Sequence, residues 1–147
     1  MSRRRYRSDS ETATIEIARQ FAATLQSGLL VLLFGDLGAG KTLFARGIVS
    51  YFDKQVPATS PTFSLVNVYP TKPPIYHLDL YRIQNDAELY DLGFEEYLDS
   101  DGLVLIEWGE KCEQLLSVDY VRVSLTMVDE TSRDIVIEEI RHATAGR

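Results

Sequence analysis

The stretch LLVLLFGDLGAGKTLFARGIV, Leu29 to Val49, passes from an apolar block through three glycines and a lysine into a helical pattern. Its first six residues read as a buried strand, and KTLFARGIVSYF reads as a helix leaving the glycine loop. Between them, Gly35, four residues, Gly40, Lys41 and Thr42 match G-x-x-x-x-G-K-[ST] in the strand, loop and helix context that the pattern requires. A chance glycine-rich turn with an exposed lysine would not carry both flanks. Glycines let the backbone fold around phosphates with its N–H groups inward, and the helix start adds the positive end of a dipole. The segment therefore predicts a phosphate-binding loop made of Gly35, Asp36, Leu37, Gly38, Ala39, Gly40, Lys41, Thr42 and Leu43. Lys41 is expected to neutralise the β- and γ-phosphates, and the Thr42 hydroxyl to ligate magnesium.

Outward from the loop, Ser8 to Glu11 has capping-box spacing, and Ile15, Ala18, Ala22 and Leu25 recur at helical intervals, predicting an amphipathic helix that ends near Gly28. TFSLVNVYP and PIYHLDLYR read as strands joined by TKPP, close enough to form an antiparallel pair. DAELYDLGFEEYL reads as a helix broken around Gly93, GLVLIEW as a buried strand and GEKCEQLL as a short helix. YVRVSLTMV and RDIVIEEI close the chain as a hairpin around DETS. Strands alternating with helices first and hairpins later predict an α/β fold with a mixed sheet covered by helices.

A chain of 147 residues with 45% hydrophobic content can bury one good core, which excludes a second catalytic domain. One cysteine, Cys112, forms no intramolecular disulfide, and it reads as an inert helical residue because no base stands beside it. The opening MSRRRYRSD lacks a secretory apolar region, and no apolar run approaches the roughly 20 residues of a membrane span. A cytoplasmic protein with no membrane association is expected. Four of the fifteen basic residues (Arg3, Arg4, Arg5, Arg7) lie in the first seven positions, leaving a body with 11 bases against 22 acids. So acidic a body repels phosphate backbones, so any RNA connection is expected to run through a partner. Residues 1–7 read as a basic, disordered tail, 8–141 as the domain, and 142–147, with His142, as a solvated C-terminal tail.

A phosphate loop needs an acid for the magnesium shell and another group to order an attacking water. Glu107 follows LVLI, a buried strand that would deliver its carboxylate to the C-terminal rim of the sheet. In IYHLDLYR, period-two alternation puts His77, Asp79 and Tyr81 on one face, which in an antiparallel strand is ordinarily solvent-exposed; the phosphate loop raises Asp79 above that reading. TSPTF, Thr59 to Phe63, is a turn into a strand on composition alone, and Ser60 or Thr62 becomes a γ-phosphate sensor if the segment is a switch.

GDLGAGKT, SPTF, HLDLYR and EWGEK, in this order and spacing, resemble the TsaE (YjeE) family of small bacterial ATPases required for threonylcarbamoyladenosine formation in tRNA. The resemblance runs from the N-terminal helix to the final hairpin, where Arg133 in TSRDIVIE also matches a family position; the leader before Ser8 does not match. It implies a single-domain P-loop NTPase fold with a mixed, mostly parallel sheet and helices on both faces. It also implies that Lys41 binds phosphate, that Thr42 and Glu107 belong to the magnesium site, and that Asp79 is an essential acid near the γ-phosphate, as a metal ligand or a water-orienting group. Trp108 is implied to lie by the nucleotide, and Thr12 near the adenine. ATP or ADP with Mg²⁺ is the implied cofactor set. TsaD-like and TsaB-like proteins are the implied partners, with tRNA contacted only indirectly and ATP hydrolysis supporting turnover of their transferase.

Two other classes compete. A nucleotide or metabolite kinase ordinarily carries a basic lid, but QNDAELYDLGFEEYL, residues 84–98, contains no Lys or Arg. A regulatory GTPase needs an N-K-x-D motif, which is absent from the sequence.

Overall fold

The apolar block Leu30–Phe34 becomes the central strand because its side chains have core on both sides. The computed structural model describes residues 3–36, 38–53 and 65–142. In chain order the strands are β1 (Arg3–Ser8), β2 (Leu30–Phe34), β3 (Val66–Tyr69), β4 (Ile75–Asp79), β5 (Leu103–Glu107), β6 (Tyr120–Met127) and β7 (Arg133–Ile140). The helices are α1 (Glu11–Ala22), α2 (Lys41–Phe52), α3 (Asp86–Asp91) and α4 (Phe94–Leu98). The described strands form one sheet in the order β1-β7-β6-β2-β5-β4-β3. β6, β2, β5 and β4 run parallel at its centre, and β3, β7 and β1 add antiparallel edges. This is the expected single α/β domain with a mixed sheet.

Alternation along β2 divides the core. Val31 and Leu33 pack with Ala18, Phe44 and Ile48 of α1 and α2, while Leu30 and Leu32 pack with Leu89 and Phe94 of α3 and α4. Each face of the central strands is therefore covered, as buried parallel strands require. α1 and α2 cross closely at Gly47, where a Cβ would lie 2.6 Å from the Ala18 Cβ and 2.9 Å from the Ile15 carbonyl oxygen. No helix among the described residues is long and apolar enough to cross a membrane.

Three expectations are corrected. The arginine-rich leader is not a disordered tail over its described residues: Arg3–Ser8 is β1, antiparallel to β7. Its charges find partners there, Arg3 with Glu138 at 3.6 Å and Arg5 with Asp134 at 2.9 Å, so the acids of RDIVIEEI offset the repulsion among the arginines. The N-cap of α1 is Ser10, whose side chain accepts from the Ala13 N–H at 3.0 Å, and not Ser8. Ser8 instead closes β1, fully buried, with its hydroxyl 2.6 Å from that of Thr14. GEKCEQLL forms two short 3₁₀ turns, Gly109–Lys111 and Glu113–Leu115, in place of one helix. The break at Gly93 is as expected, with a left-handed φ of +87° between α3 and α4.

Candidate functional site

The loop between β2 and α2 is shaped by close approach. Gly35 has φ +149°, and a Cβ there would lie 2.6 Å from the Leu125 carbonyl oxygen on β6, so no larger residue fits without movement. Gly40, the N-cap of α2, adopts φ +106° and presents the first turn of the helix to the loop. Arg133 holds the loop from outside: its Nε donates to the Ala39 carbonyl at 3.1 Å and its Nη2 to the Gly38 carbonyl at 3.2 Å. The same guanidinium donates to the Asp129 carbonyl at 2.9 Å, joining the β6–β7 turn to the loop.

Lys41 is 5% exposed and donates to the carbonyls of Gly35 and Asp36, the latter at 3.0 Å. Burial pulls its ammonium pKa below the ordinary lysine value, against the opposing pull of Glu107, Glu110, Asp79 and Asp36. Its Nζ lies 4.0 Å from the centroid of the Trp108 ring. Trp108 has φ +61°, a rare left-handed conformation for a large residue, which breaks the strand alternation directly after Glu107. Tyr81 packs on the indole with ring centroids 5.3 Å apart, and Lys111 fixes that segment by donating to the Tyr81 and Ile83 carbonyls at 2.5 and 2.8 Å.

Glu107 is 3% exposed at the end of β5. Its Oε1 accepts from the Thr42 hydroxyl at 2.9 Å, and its Oε2 lies 2.6 Å from Nε2 of His77. Parallel pairing of β4 with β5 sets Asp79 beside Glu107 in register, so the two acids reach the same rim. Asp79 Oδ1 accepts from the Tyr81 N–H at 3.0 Å. His77 is not solvent-exposed: it is fully buried, because β4 lies inside the sheet between β5 and β3 and the His77 face turns towards α2. The Tyr69 hydroxyl lies 3.2 Å from its Nδ1.

A cavity of about 720 Å³ opens over these groups. Gly38, Gly40, Lys41, Thr42, Leu43, Asp79, Glu107 and Trp108 line it, and Thr12 lines it from the β1–α1 corner. Gly35, Asp36 and Ala39 border a separate concavity beside β6. Leu37, Ser60 and Thr62 lie outside the described residues, as does the whole SPTF segment. The cavity also takes in Glu130, Thr131 and Arg133 from the β6–β7 turn. Of these, sequence reasoning marked only Arg133. The contacts of His77 with Glu107 and of Tyr69 with His77 were missed, although the position of His77 two residues before Asp79 was a usable signal. Cys112 is buried, and its surroundings push its thiol pKa up to about 12, as an inert cysteine requires.

A helix start behind a glycine loop and a buried ammonium suit a polyphosphate anion. Magnesium favours hard oxygen donors and is ordinarily held by one or two carboxylates together with substrate phosphates. The Thr42 hydroxyl and Glu107 carboxylate, with Asp79 adjacent, supply that donor set. Among the described residues no group of three or more His, Cys, Asp or Glu could hold a metal ion.

Comparison with known proteins extends this picture. Residues 8–135 match the model of the family described as threonylcarbamoyl adenosine biosynthesis protein TsaE. The tRNA threonylcarbamoyladenosine biosynthesis protein TsaE of Rickettsia bellii is 46% identical over 127 residues, 85% of this chain and 88% of that protein. The protein of the same name from Bacillus subtilis is 31% identical over 141 residues, 95% of this chain and 88% of its own length. The crystal structure of Bacillus subtilis YdiB superposes with a TM-score of 0.75 at 28% identity, covering 92% of this chain and 84% of that one.

Proposed function

Because the chain belongs to the TsaE family, whose members act in tRNA threonylcarbamoyladenosine biosynthesis, we propose that it is the ATP-binding, slowly ATP-hydrolysing subunit of that pathway. The observation that supports this reading most directly is the 2.9 Å hydrogen bond between Thr42 and Glu107 at the mouth of the glycine loop. It joins, across 65 residues of sequence, the two oxygen groups that this reading assigns to magnesium. Backbone N–H groups of the loop and Lys41 bind the β- and γ-phosphates, and Lys41 exchanges its carbonyl acceptors for phosphate oxygens. Thr42 and Glu107, with Asp79 beside them, hold Mg²⁺, which when bound neutralises charge developing on the phosphates. Asp79, on the same rim, ligates the ion or orients the attacking water. Trp108 shields one side of the phosphates. Thr12 and the β6–β7 turn border the end of the cavity available to the nucleoside.

Among the described residues, neither candidate arginine is free at the cavity to act as a finger for this reaction. Arg133 is engaged with loop carbonyls, and Arg82 is exposed beyond the end of β4. A supplied arginine is worth ~10³ to 10⁵ in rate in related enzymes. Activity in the cytoplasm is accordingly proposed to depend on TsaD-like and TsaB-like partners, with tRNA contacted through them. The test is ATP turnover by the isolated chain and by the chain reconstituted with those partners. Slow release of inorganic phosphate, accelerated on assembly, is expected. Full activity alone, unaffected by the partners, overturns the assembly-dependent reading, and transfer of phosphate to a nucleotide, sugar or alcohol assigns the site to a kinase.

A further inference from the structure

We propose that His77, held by Tyr69, is a positioning residue that keeps the Glu107 carboxylate turned towards the metal site; the inference rests on the magnesium-nucleotide reading above. The two oxygens of Glu107 have different duties. Oε1 accepts from Thr42, the hydroxyl at the mouth of the loop, while Oε2 is bound from behind by the fully buried imidazole at 2.6 Å. The terminal torsion of a glutamate is soft, so a carboxylate anchored at one oxygen swings, whereas one anchored at both keeps its plane. His77 supplies the second anchor.

The donor direction follows from chemistry. An ionised carboxylate only accepts, so Nε2 carries the proton that lies between His77 and Glu107. When the ring is neutral, the phenolic hydroxyl 3.2 Å from Nδ1 donates to the remaining lone pair and holds this tautomer. Tyr69, His77 and Glu107 thus form a one-way chain of donors ending on the carboxylate. β3, β4 and β5 each contribute one member to the face turned towards α2. His77 is enclosed and is itself no metal ligand. It acts through the orientation of Glu107, and outer partners of this kind are worth roughly 10- to 100-fold in metal affinity.

The test uses the full chain and calorimetric titration of ADP with and without Mg²⁺ for wild type, His77→Leu, His77→Gln and Tyr69→Phe. His77→Leu should keep metal-free ADP binding and raise the Mg²⁺ concentration needed for half of the metal-dependent gain by roughly 10- to 100-fold. His77→Gln, which retains a donor near Nε2, should recover most of that loss, and Tyr69→Phe should fall between. ¹⁵N NMR of the metal-free protein, simplified by a total of two histidines, should place a proton on Nε2 of His77. A ring without that proton overturns the inference, and this measurement stands even if His77→Leu fails to fold. Unchanged Mg²⁺ dependence in a folded His77→Leu or Tyr69→Phe also overturns it, while leaving the proposed function intact. Failure of the wild type to bind ADP removes both.

Discussion

The Lys41 ammonium lies 4.0 Å from the centroid of the Trp108 ring while donating to two carbonyls of its own loop. The side chain that would meet phosphate is therefore in contact with the chain's single tryptophan.

Binding of ATP or ADP with Mg²⁺ should draw Lys41 towards the phosphates and away from the indole, changing tryptophan emission. Lys41→Met should change the emission without any nucleotide, since the cation over the ring is gone. An unchanged spectrum at saturating nucleotide, with binding verified by calorimetry, removes Trp108 from the site.

Lys41→Ala and Glu107→Gln should differ in kind. Loss of the ammonium removes charge-assisted bonds to phosphate and should weaken nucleotide binding roughly 10- to 100-fold. Glu107→Gln keeps the shape but not the charge beside the metal, so binding should be better retained while turnover falls roughly 10²-fold or more. Equal loss of affinity in both variants, with circular dichroism unchanged, would make Glu107 a structural residue.

Arg133→Ala should weaken nucleotide binding about 10-fold, because the guanidinium ties down the Gly38 and Ala39 carbonyls and so restrains the loop. Arg133→Lys should recover little, since one ammonium cannot reproduce the fork that spans both carbonyls and Asp129. Wild-type affinity in Arg133→Ala would show that the loop holds its shape unaided.

Cys112 should resist thiol reagents at neutral pH in the folded protein and react fully in denaturant. Its thiol is buried and its pKa is pushed up to about 12, chiefly by desolvation with Glu113 and Glu110 adding to the effect. Because the thiolate is the reacting form, labelling should report unfolding. Rapid labelling of the native chain would contradict the buried placement.

Gly47→Ala should destabilise the fold by about 1–3 kcal/mol despite the better helix propensity of alanine. Its Cβ would press on the Ala18 Cβ and the Ile15 carbonyl oxygen, so α1 and α2 must separate. Denaturant unfolding measures this, and a raised midpoint would show that the crossing is looser than the distances imply.

The strand, glycine turn and helix start around Lys41 were legible in the sequence because they are contiguous, so local geometry alone sets them in order. The place of Glu107 was legible because an acid ending an apolar strand points to the rim of a sheet, whereas its neighbour Asp79 is set beside it by the pairing of β4 with β5. The cap of α1 was misplaced by two residues, since Ser8 and Ser10 both carry the required hydroxyl and only the antiparallel pairing of β1 with β7 assigns Ser8 to the strand. The order of strands decided the rest. Arg133 reaches Gly38 across 95 residues because β6 lies between β7 and β2, and His77 reaches Glu107 across 30 because β4 lies against β5. Alternation assigns His77 to a face but cannot say whether that face meets water or a helix. Burial is a property of what packs against the strand, and here it turns a histidine that reads as exposed into a buried neighbour of the Glu107 carboxylate.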